Sequence, residues 1–460
     1  MNVAGTLFDR RAFFCVGAAA TGSLGLSWTP RSLLAGDALS RALTGKSVVF
    51  LFMHGGPSQI ETFDPKPEAP LEVRSTTGDI ATALPGVTFG GTFPGLAQRA
   101  DRFTVVRSFV TGDGNHDIKP VVGKATHGAS LGALYSRVAG ANDPRTGLPT
   151  NIQLYPRSVD ATTGEEIKSF GRFESTGTYG IKAAPFVPGA GSEVQQNLEL
   201  RVPTDRLGDR RTLINELDRY HRRLGESGFD PLREQAFDTL LAGVAGAFDL
   251  SREDAATISR YDTAPIVTPN QIEKHWNNYN HYVDHAKSLG KLMLLARRLC
   301  EAGAGFVTVT TSFVWDMHSD VNNAPPHLGM KWVGTPFDHA VSAFLDDLDA
   351  RGLSDRILLV CCGEMGRTPR LNAKAGRDHW GNIAPLLLAG AGIPRGAVIG
   401  QSNRSGGEPL SEAVTIPHLV ATILQTVFHA SELRLAPGIP DEIVRAATHD
   451  PIPGLDRRTA

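Results

Sequence analysis

Residues 335–390 constrain this chain more than any other stretch, reading TPFDHAVSAFLDDLDARG, then ILLVCCGEMGRTPR, then AGRDHWGNIAPLLLAG. In the first piece Phe337, Val341, Phe344, Leu345 and Leu348 recur at helical spacing, and Gly352 stands where a helix end favours positive φ. Residues 357–360 form an apolar run too short for a helix, which predicts a strand buried on both faces of a parallel sheet. Residues 383–389 predict another. In open α/β sheets the loops leaving the carboxyl ends of strands hold the ligand. Glu364, Arg367, Asp378, His379 and Trp380 lie between these two strands among glycines, so the functional site is expected here.

The 460 residues, 41% hydrophobic and 20% charged, suffice for a large α/β core, and 49 glycines with 29 prolines imply many turns between short strands. A net charge of -2 and a pI near 6.7 give no electrostatic case for nucleic acid or an anionic membrane. The four cysteines, Cys15, Cys300, Cys361 and Cys362, lack CxxC spacing and read as apolar thiols, not as a disulfide framework. Arg10 and Arg11 precede a mildly apolar segment and then small residues around positions 34–38. This resembles a twin-arginine export signal over residues 1–38, with a periplasmic or secreted mature protein. The segment is too short and too weakly apolar for a permanent membrane span.

Along the mature part, residues 48–53 predict a strand ending in the abrupt turn HGGP. His54, Glu61 and Asp64 then come within reach of the strand ends, His54 and Glu61 as candidate metal ligands and Asp64 equally as a turn residue before Pro65. A second strand, 103–106, runs into TGDGNHD, where Thr111 and His116 precede a helix expected to begin near Pro120. A helix N-terminus there would offer unpaired N–H groups to an anion. His127 reads as an ordinary helix residue. Residues 204–285 turn helical and charged and are expected to form an inserted cap; His281 and His285 match no complete metal motif and read as structural. The run FVTVTTSF, 306–313, predicts a strand, and Asp316 and His318 leave its end as Glu364 leaves the next. Thr415 is a candidate N-cap for the helix that follows, with His418 beside it in a capping role.

HGGPSQIETFDPKP, WDMH, GEMGRTPR and GRDHWG, in this order, resemble the bacterial domain-of-unknown-function family 1501, a relative of alkaline phosphatases and sulfatases. The resemblance spans nearly the whole mature chain. It implies an alkaline-phosphatase-like α/β fold over residues 46–460: a central, mostly parallel sheet sandwiched by helices, with one or two divalent metals at the strand ends. It further implies Asp316 and His318 as a metal pair, Glu364 in place of the usual Asp-His-Gly, and His379 as the histidine preceding the next strand. Asp378 lies beside that set, and the metal aspartate of the first strand is replaced by His54. The loop that carries a Ser, Thr or Cys nucleophile in the superfamily reads GDGNHD, with Thr111 just before it and His116 within it.

Carboxylates mixed with imidazoles suit Zn²⁺ or Mn²⁺ better than Ca²⁺. Arg367 could hold a phosphate or sulfate bidentately or serve a structural ion pair. His116 could act as ligand, acid–base group or nucleophile. Two readings stand at this point. One is an exported metal-dependent hydrolase of phosphate or sulfate esters, including those on polysaccharides. The other is a non-catalytic metal- or anion-binding protein on the same fold.

Overall fold

A computed structural model describes residues 39–189 and 244–455, together with scattered positions between 206 and 216. Residues 1–38, which carry the predicted leader, and most of the predicted insertion before residue 244 lie outside the described residues. Eight strands form the central sheet: β1 (Ser47–Phe52), β2 (Thr104–Val110), β3 (Asn151–Leu154), β4 (Phe306–Thr310), β5 (Ile357–Cys362), β6 (Ala384–Ala389), β7 (Ala397–Ile399) and β8 (Val414–Thr415). Their order is β7-β2-β6-β5-β1-β4-β3, with β8 also pairing with β2. This is the central, mostly parallel sheet between helical layers that the resemblance implies.

The sheet is built from runs such as VVFLF because both of its faces are covered. Val49 and Leu51 point into one core with α5 (Tyr279–Glu301) and α6 (Pro326–Ala350). Val48, Phe50 and Phe52 point into the other, against α2 (Leu131–Ala139), α7 (Ile416–Val427) and α9 (Asp441–Thr448). Other helices among the described residues are α1 (Pro94–Gln98), α3 (Ala245–Phe248), α4 (Ala255–Tyr261) and α8 (Ala430–Leu435). Cys300, Cys361 and Cys362 are buried free thiols.

Three local expectations are corrected. The helix predicted from residue 335 begins a full nine residues earlier, at Pro326, and carries Pro336 inside it. An interior proline costs about 3 kcal/mol, but Trp332, Val333 and Phe337 around it are all buried, and that packing outweighs the local preference. His285 Nε2 lies 3.1 Å from the Val333 carbonyl beside this proline, a structural use of a buried imidazole whose pKa burial lowers to about 4. No α-helix starts at Pro120: a 3-10 turn, Lys124–Thr126, intervenes, and α2 begins only at Leu131 with Ser130 as its N-cap. His116 therefore has no helix N-terminus behind it. His127 sits in the left-handed region at φ 54 and ends that turn instead of riding a helix. At Thr415 the expected cap takes the form of His418 Nδ1 accepting the Thr415 N–H at 3.2 Å.

The direction of β6 matters most for the site. It runs antiparallel to both β5 and β2, whereas every other pairing in the sheet is parallel. The residues that enter β6 thus lie on the same edge of the sheet as the residues that leave β1, β2, β4 and β5. A two-residue ribbon, Gly366–Arg367 against His379–Trp380, carries the chain back to that edge.

Candidate metal centre

Four side chains from three strand ends meet on this edge: His116 beyond β2, Asp316 and His318 beyond β4, and His379 before β6. One ligand atom from each lies within 4.8 Å of all the others. Asp316 Oδ1 is the hub, 2.9 Å from His318 Nε2, 3.6 Å from His116 Nε2 and 3.7 Å from His379 Nε2. His318 Nε2 and His379 Nε2 are 2.8 Å apart. Donors on a tetrahedral ion with bonds of about 2.0–2.1 Å stand about 3.3 Å apart, so this spread brackets what such an ion needs. Two buried atoms of the group, His116 Nε2 and Asp316 Oδ1, make no aligned hydrogen bond among the described residues. Ligand atoms converging in this way, with His116 Nε2 buried and lacking a hydrogen bond, fit a divalent cation.

A second layer of carboxylates orients the first. Glu364, fully buried, approaches His116 Nδ1 at 2.9 Å and accepts the Gly55 N–H at 3.0 Å. Asp378 stands 3.2 Å from His318 Nδ1 and is itself held by Asn372 Nδ2 at 2.9 Å. A carboxylate at Nδ1 keeps the proton there and leaves the Nε2 lone pair facing inward. Asn323 Nδ2 fixes the second oxygen of Asp316 at 3.1 Å. Glu364 and Asp378, foreseen as ligands, stand behind His116 and His318 and outside the group of four.

The electrostatics follow from this packing. Burial opposes charge on His116, yet the Asp316 and Glu364 carboxylates outweigh it and raise its pKa above the ordinary histidine value. Burial alone would also push the Asp316 carboxyl up, but Arg367 and the three imidazoles hold it far below the usual carboxylate range. His379 is lowered, chiefly by burial.

The remaining predicted residues are engaged elsewhere. His54 packs edge-on to Phe170, Phe173 and Phe313, with ring centroids 5.0–6.1 Å away, and burial lowers its pKa to about 4. Its imidazole is outside the cluster; its carbonyl, which accepts from Val314 and Trp315 N–H at 3.2 Å, steers the chain into Asp316. Thr111 donates both its N–H and its hydroxyl to the Gly381 carbonyl, at 3.0 and 3.4 Å, so it ties two loops together and presents no free hydroxyl. Asp64 pairs with Lys66 at 3.0 Å. Glu61 is 2.9 Å from Arg377, both side chains wholly inaccessible, and also accepts from Ser75 and Thr76. Arg377 precedes Asp378 and His379, and its guanidinium further holds the Val73, Arg74 and Pro369 carbonyls. Glu61 therefore acts at a distance, by anchoring the loop that carries His379. Glu61→Gln should leave Arg377 buried without a counter-ion and destabilise the protein by about 3–5 kcal/mol. Denaturant unfolding of the metal-free protein measures this; an unchanged midpoint would show that the pair carries no such weight.

Of the two readings open for Arg367, the structure shows the ion pair. Arg367 is buried, with Nε 2.7 Å from the Gly56 carbonyl and Nη2 bonded to the Gly55 carbonyl and 2.7 Å from Asp316 Oδ1. Nη1 reaches the Arg377 carbonyl and His318 Nε2, both at 3.3 Å. Four hydrogen bonds and the ion pair with Asp316 occupy the guanidinium, so it has no fork left for an ester anion. The HGGP turn supplies this cradle. At Gly55, φ is +114 and a Cβ would stand 2.7 Å from the Asp316 nitrogen, so only glycine brings both its carbonyl and its N–H into the site. Gly114 plays the corresponding part in the His116 loop, where a Cβ would meet His379 Cβ at 2.9 Å.

The family described as "Protein of unknown function (DUF1501)" matches residues 45–433. No curated protein matches the chain. Among solved structures it is similar to PsFucS1 sulfatase from Pseudoalteromonas sp., at 11% identity and a TM-score of 0.36, over 90% of this chain and 73% of that one. It is also similar to the phosphonate monoester hydrolase SpPMH from Silicibacter pomeroyi, at 9% identity and a TM-score of 0.35, over 84% and 74% of the two chains. A third is the lipoteichoic acid synthase LtaP from Listeria monocytogenes, at 7% identity and a TM-score of 0.32, over 80% and 73%. At such values these are likenesses of chain path, and the chemistry has to come from the residues.

Proposed function

The chain belongs to the DUF1501 family over residues 45–433, and from the cluster described above we propose that it is a metal-dependent hydrolase of phosphate or sulfate esters. The observation that carries this reading is the convergence of His116, Asp316, His318 and His379 at the strand ends, with His116 Nε2 buried and without a hydrogen bond. A divalent ion held there, Zn²⁺ or Mn²⁺, would polarise an ester oxygen and lower the pKa of its water to about 7. The chain's own groups prepare the place. Glu364 and Asp378 keep protons at His116 Nδ1 and His318 Nδ1, and Arg367 holds Asp316. Phe170 and Phe313, stacked at 4.7 Å, pack against the His116 ring. With Thr111 bonded to Gly381, the reading is a displacement without a seryl or threonyl intermediate.

Export by the twin-arginine pathway is part of the proposal, resting on Arg10, Arg11 and the small-residue segment after them. Among the described residues no helix is long and apolar enough to cross a membrane. Purified mature protein, stripped of metal and reloaded with Zn²⁺ or Mn²⁺, should hydrolyse p-nitrophenyl phosphate or sulfate. One observation favours the second reading, a binding protein that does no chemistry: Arg367 is fully engaged and offers no free cation to an ester anion. Metal bound stoichiometrically with no turnover of either ester, or of sulfated and phosphorylated oligosaccharides, would make that the better account.

Metal binding should also depend on pH in a defined direction. An imidazole must lose its inward proton to coordinate. Because the carboxylates raise the His116 pKa above 6.5, protons compete there from near-neutral pH downward. Asp316 stays ionised across the same range, so the loss follows histidine protonation. Affinity measured by equilibrium dialysis should fall steadily from pH 8 to pH 6, and a flat profile would contradict the assignment of His116.

A further inference from the structure

Asn278 occupies the N-cap position of α5, where an asparagine ordinarily turns its side chain back onto the first N–H groups of its own helix. Here the side chain makes no such cap bond. Its Nδ2 crosses instead to Asn323 Oδ1 at 2.7 Å, and Asn323 Nδ2 in turn donates to Asp316 Oδ2 at 3.1 Å. The polarity of this relay is set from its far end. Asp316, ion-paired with Arg367 at 2.7 Å, is a carboxylate that only accepts. Buried Asn323 must therefore show it the amino side of its amide, which turns the Asn323 carbonyl toward α5 and calls for a donor there. A reversed amide would set oxygen against oxygen at Asp316 and N–H against N–H at Asn278.

From this we infer that Asn278 is a positioning residue for Asp316, acting through Asn323 to hold Asp316 Oδ2 so that Oδ1 stays turned to the three imidazoles. The inference rests on the metal reading given above. The Asn323 backbone is fixed without help from α5: its N–H donates to Asp320 Oδ1 at 2.8 Å and its carbonyl accepts the Asp320 N–H at 3.1 Å. What Asn278 adds is the direction of the side-chain amide. In the sequence the device is two asparagine doublets, Asn277-Asn278 before α5 and Asn322-Asn323 before α6, which pair with each other across the two loops. The Asn277 and Asn278 N–H groups donate to the Val321 and Asn322 carbonyls, both at 3.1 Å, and hold the doublets in register. Asn277 Nδ2 reaches Asn322 Oδ1 at 2.8 Å, at the surface. The two amide pairs are alike in kind and stand side by side, but only the Asn278 pair leads on to a residue of the cluster.

The test compares two isosteric variants of the chelator-stripped protein, Asn278→Asp and Asn277→Asp, with the parent. The affinity of each for Mn²⁺ is measured by titration, with free ion read by electron paramagnetic resonance. Aspartate caps helices as well as asparagine does, so α5 keeps its start in Asn278→Asp. The variant nevertheless puts an acceptor where the Asn323 carbonyl needs a donor, and Mn²⁺ affinity is expected to fall about tenfold, the lower end of what loss of an orienting partner costs. Asn277→Asp adds the same charge one residue away and breaks the neighbouring pair, and should keep the parental affinity. Parental affinity in Asn278→Asp, or equal losses in the two variants, would overturn the inference while leaving the metal centre intact. A parent that binds no Mn²⁺ would overturn the metal reading and this inference with it. Should Asn278→Asp fail to fold, Asn278→Ser removes the reach of the donor without adding charge. Its affinity should fall in the same direction, and a folded Asn278→Ser protein with parental affinity would refute the relay.

Discussion

Asp316→Asn should empty the metal centre while leaving the fold in place. Its Oδ1 lies within 3.7 Å of all three cluster imidazoles and 2.7 Å from Arg367. The amide keeps the shape but removes the charge that both the ion and the guanidinium face. Changes in groups that only orient ligands weaken metal binding about 10–100-fold, and the loss here should exceed that, with turnover abolished. Arg367 retains its carbonyl partners but loses its carboxylate, so the variant should keep the parent's circular dichroism while unfolding at a lower denaturant midpoint. Retention of metal at parental affinity would remove Asp316 from the centre.

The second large effect is expected at His116. His116→Ala should weaken metal binding sharply and abolish turnover, because it removes an inward donor and strands Glu364 with only the Gly55 N–H as partner. His116→Asn divides the roles: an amide can still coordinate weakly but cannot move a proton near neutral pH. It should recover part of the metal content and none of the activity. Glu364→Gln sits between them, with binding down by about 10–100-fold through loss of the orienting carboxylate. If His116→Ala held its metal and its rate, the contact with Asp316 and Glu364 would be packing alone.

Much of this centre was legible in the sequence because its residues sit at strand ends. Asp316 and His318 follow a run buried on both faces, and His379 precedes another, so their edge of the sheet could be read from periodicity. His116 stood out because a glycine-loosened loop carried it. What the sequence could not show was which polar residues face inward together. His54 and His116 both follow buried strands, yet one is closed in by phenylalanines and the other meets three ligand atoms. Glu61 looked like a ligand because its partner Arg377 lies more than three hundred residues away in the chain and is invisible to spacing. The HGGP stretch was legible as a turn with His54 as a candidate ligand, but its glycines act through the backbone, offering carbonyls to Arg367 and an N–H to Glu364. The reversal of β6 carries no local signal either, since a strand buried on both faces reads as the same apolar run in either direction. Helical spacing was legible from Phe337 onward, but the turns of α6 before Pro336 were not, because the packing of Trp332 and Phe337 around that proline does not show in the sequence.

The most direct measurement of the central claim is X-ray absorption at the zinc edge on stripped and Zn²⁺-reloaded protein. The arrangement of His116, Asp316, His318 and His379 predicts about four nitrogen or oxygen neighbours at about 2.0–2.1 Å, with the outer-shell scattering of roughly three imidazoles. A protein that takes up no zinc, or a bound ion surrounded by oxygen alone without imidazole scattering, would contradict it.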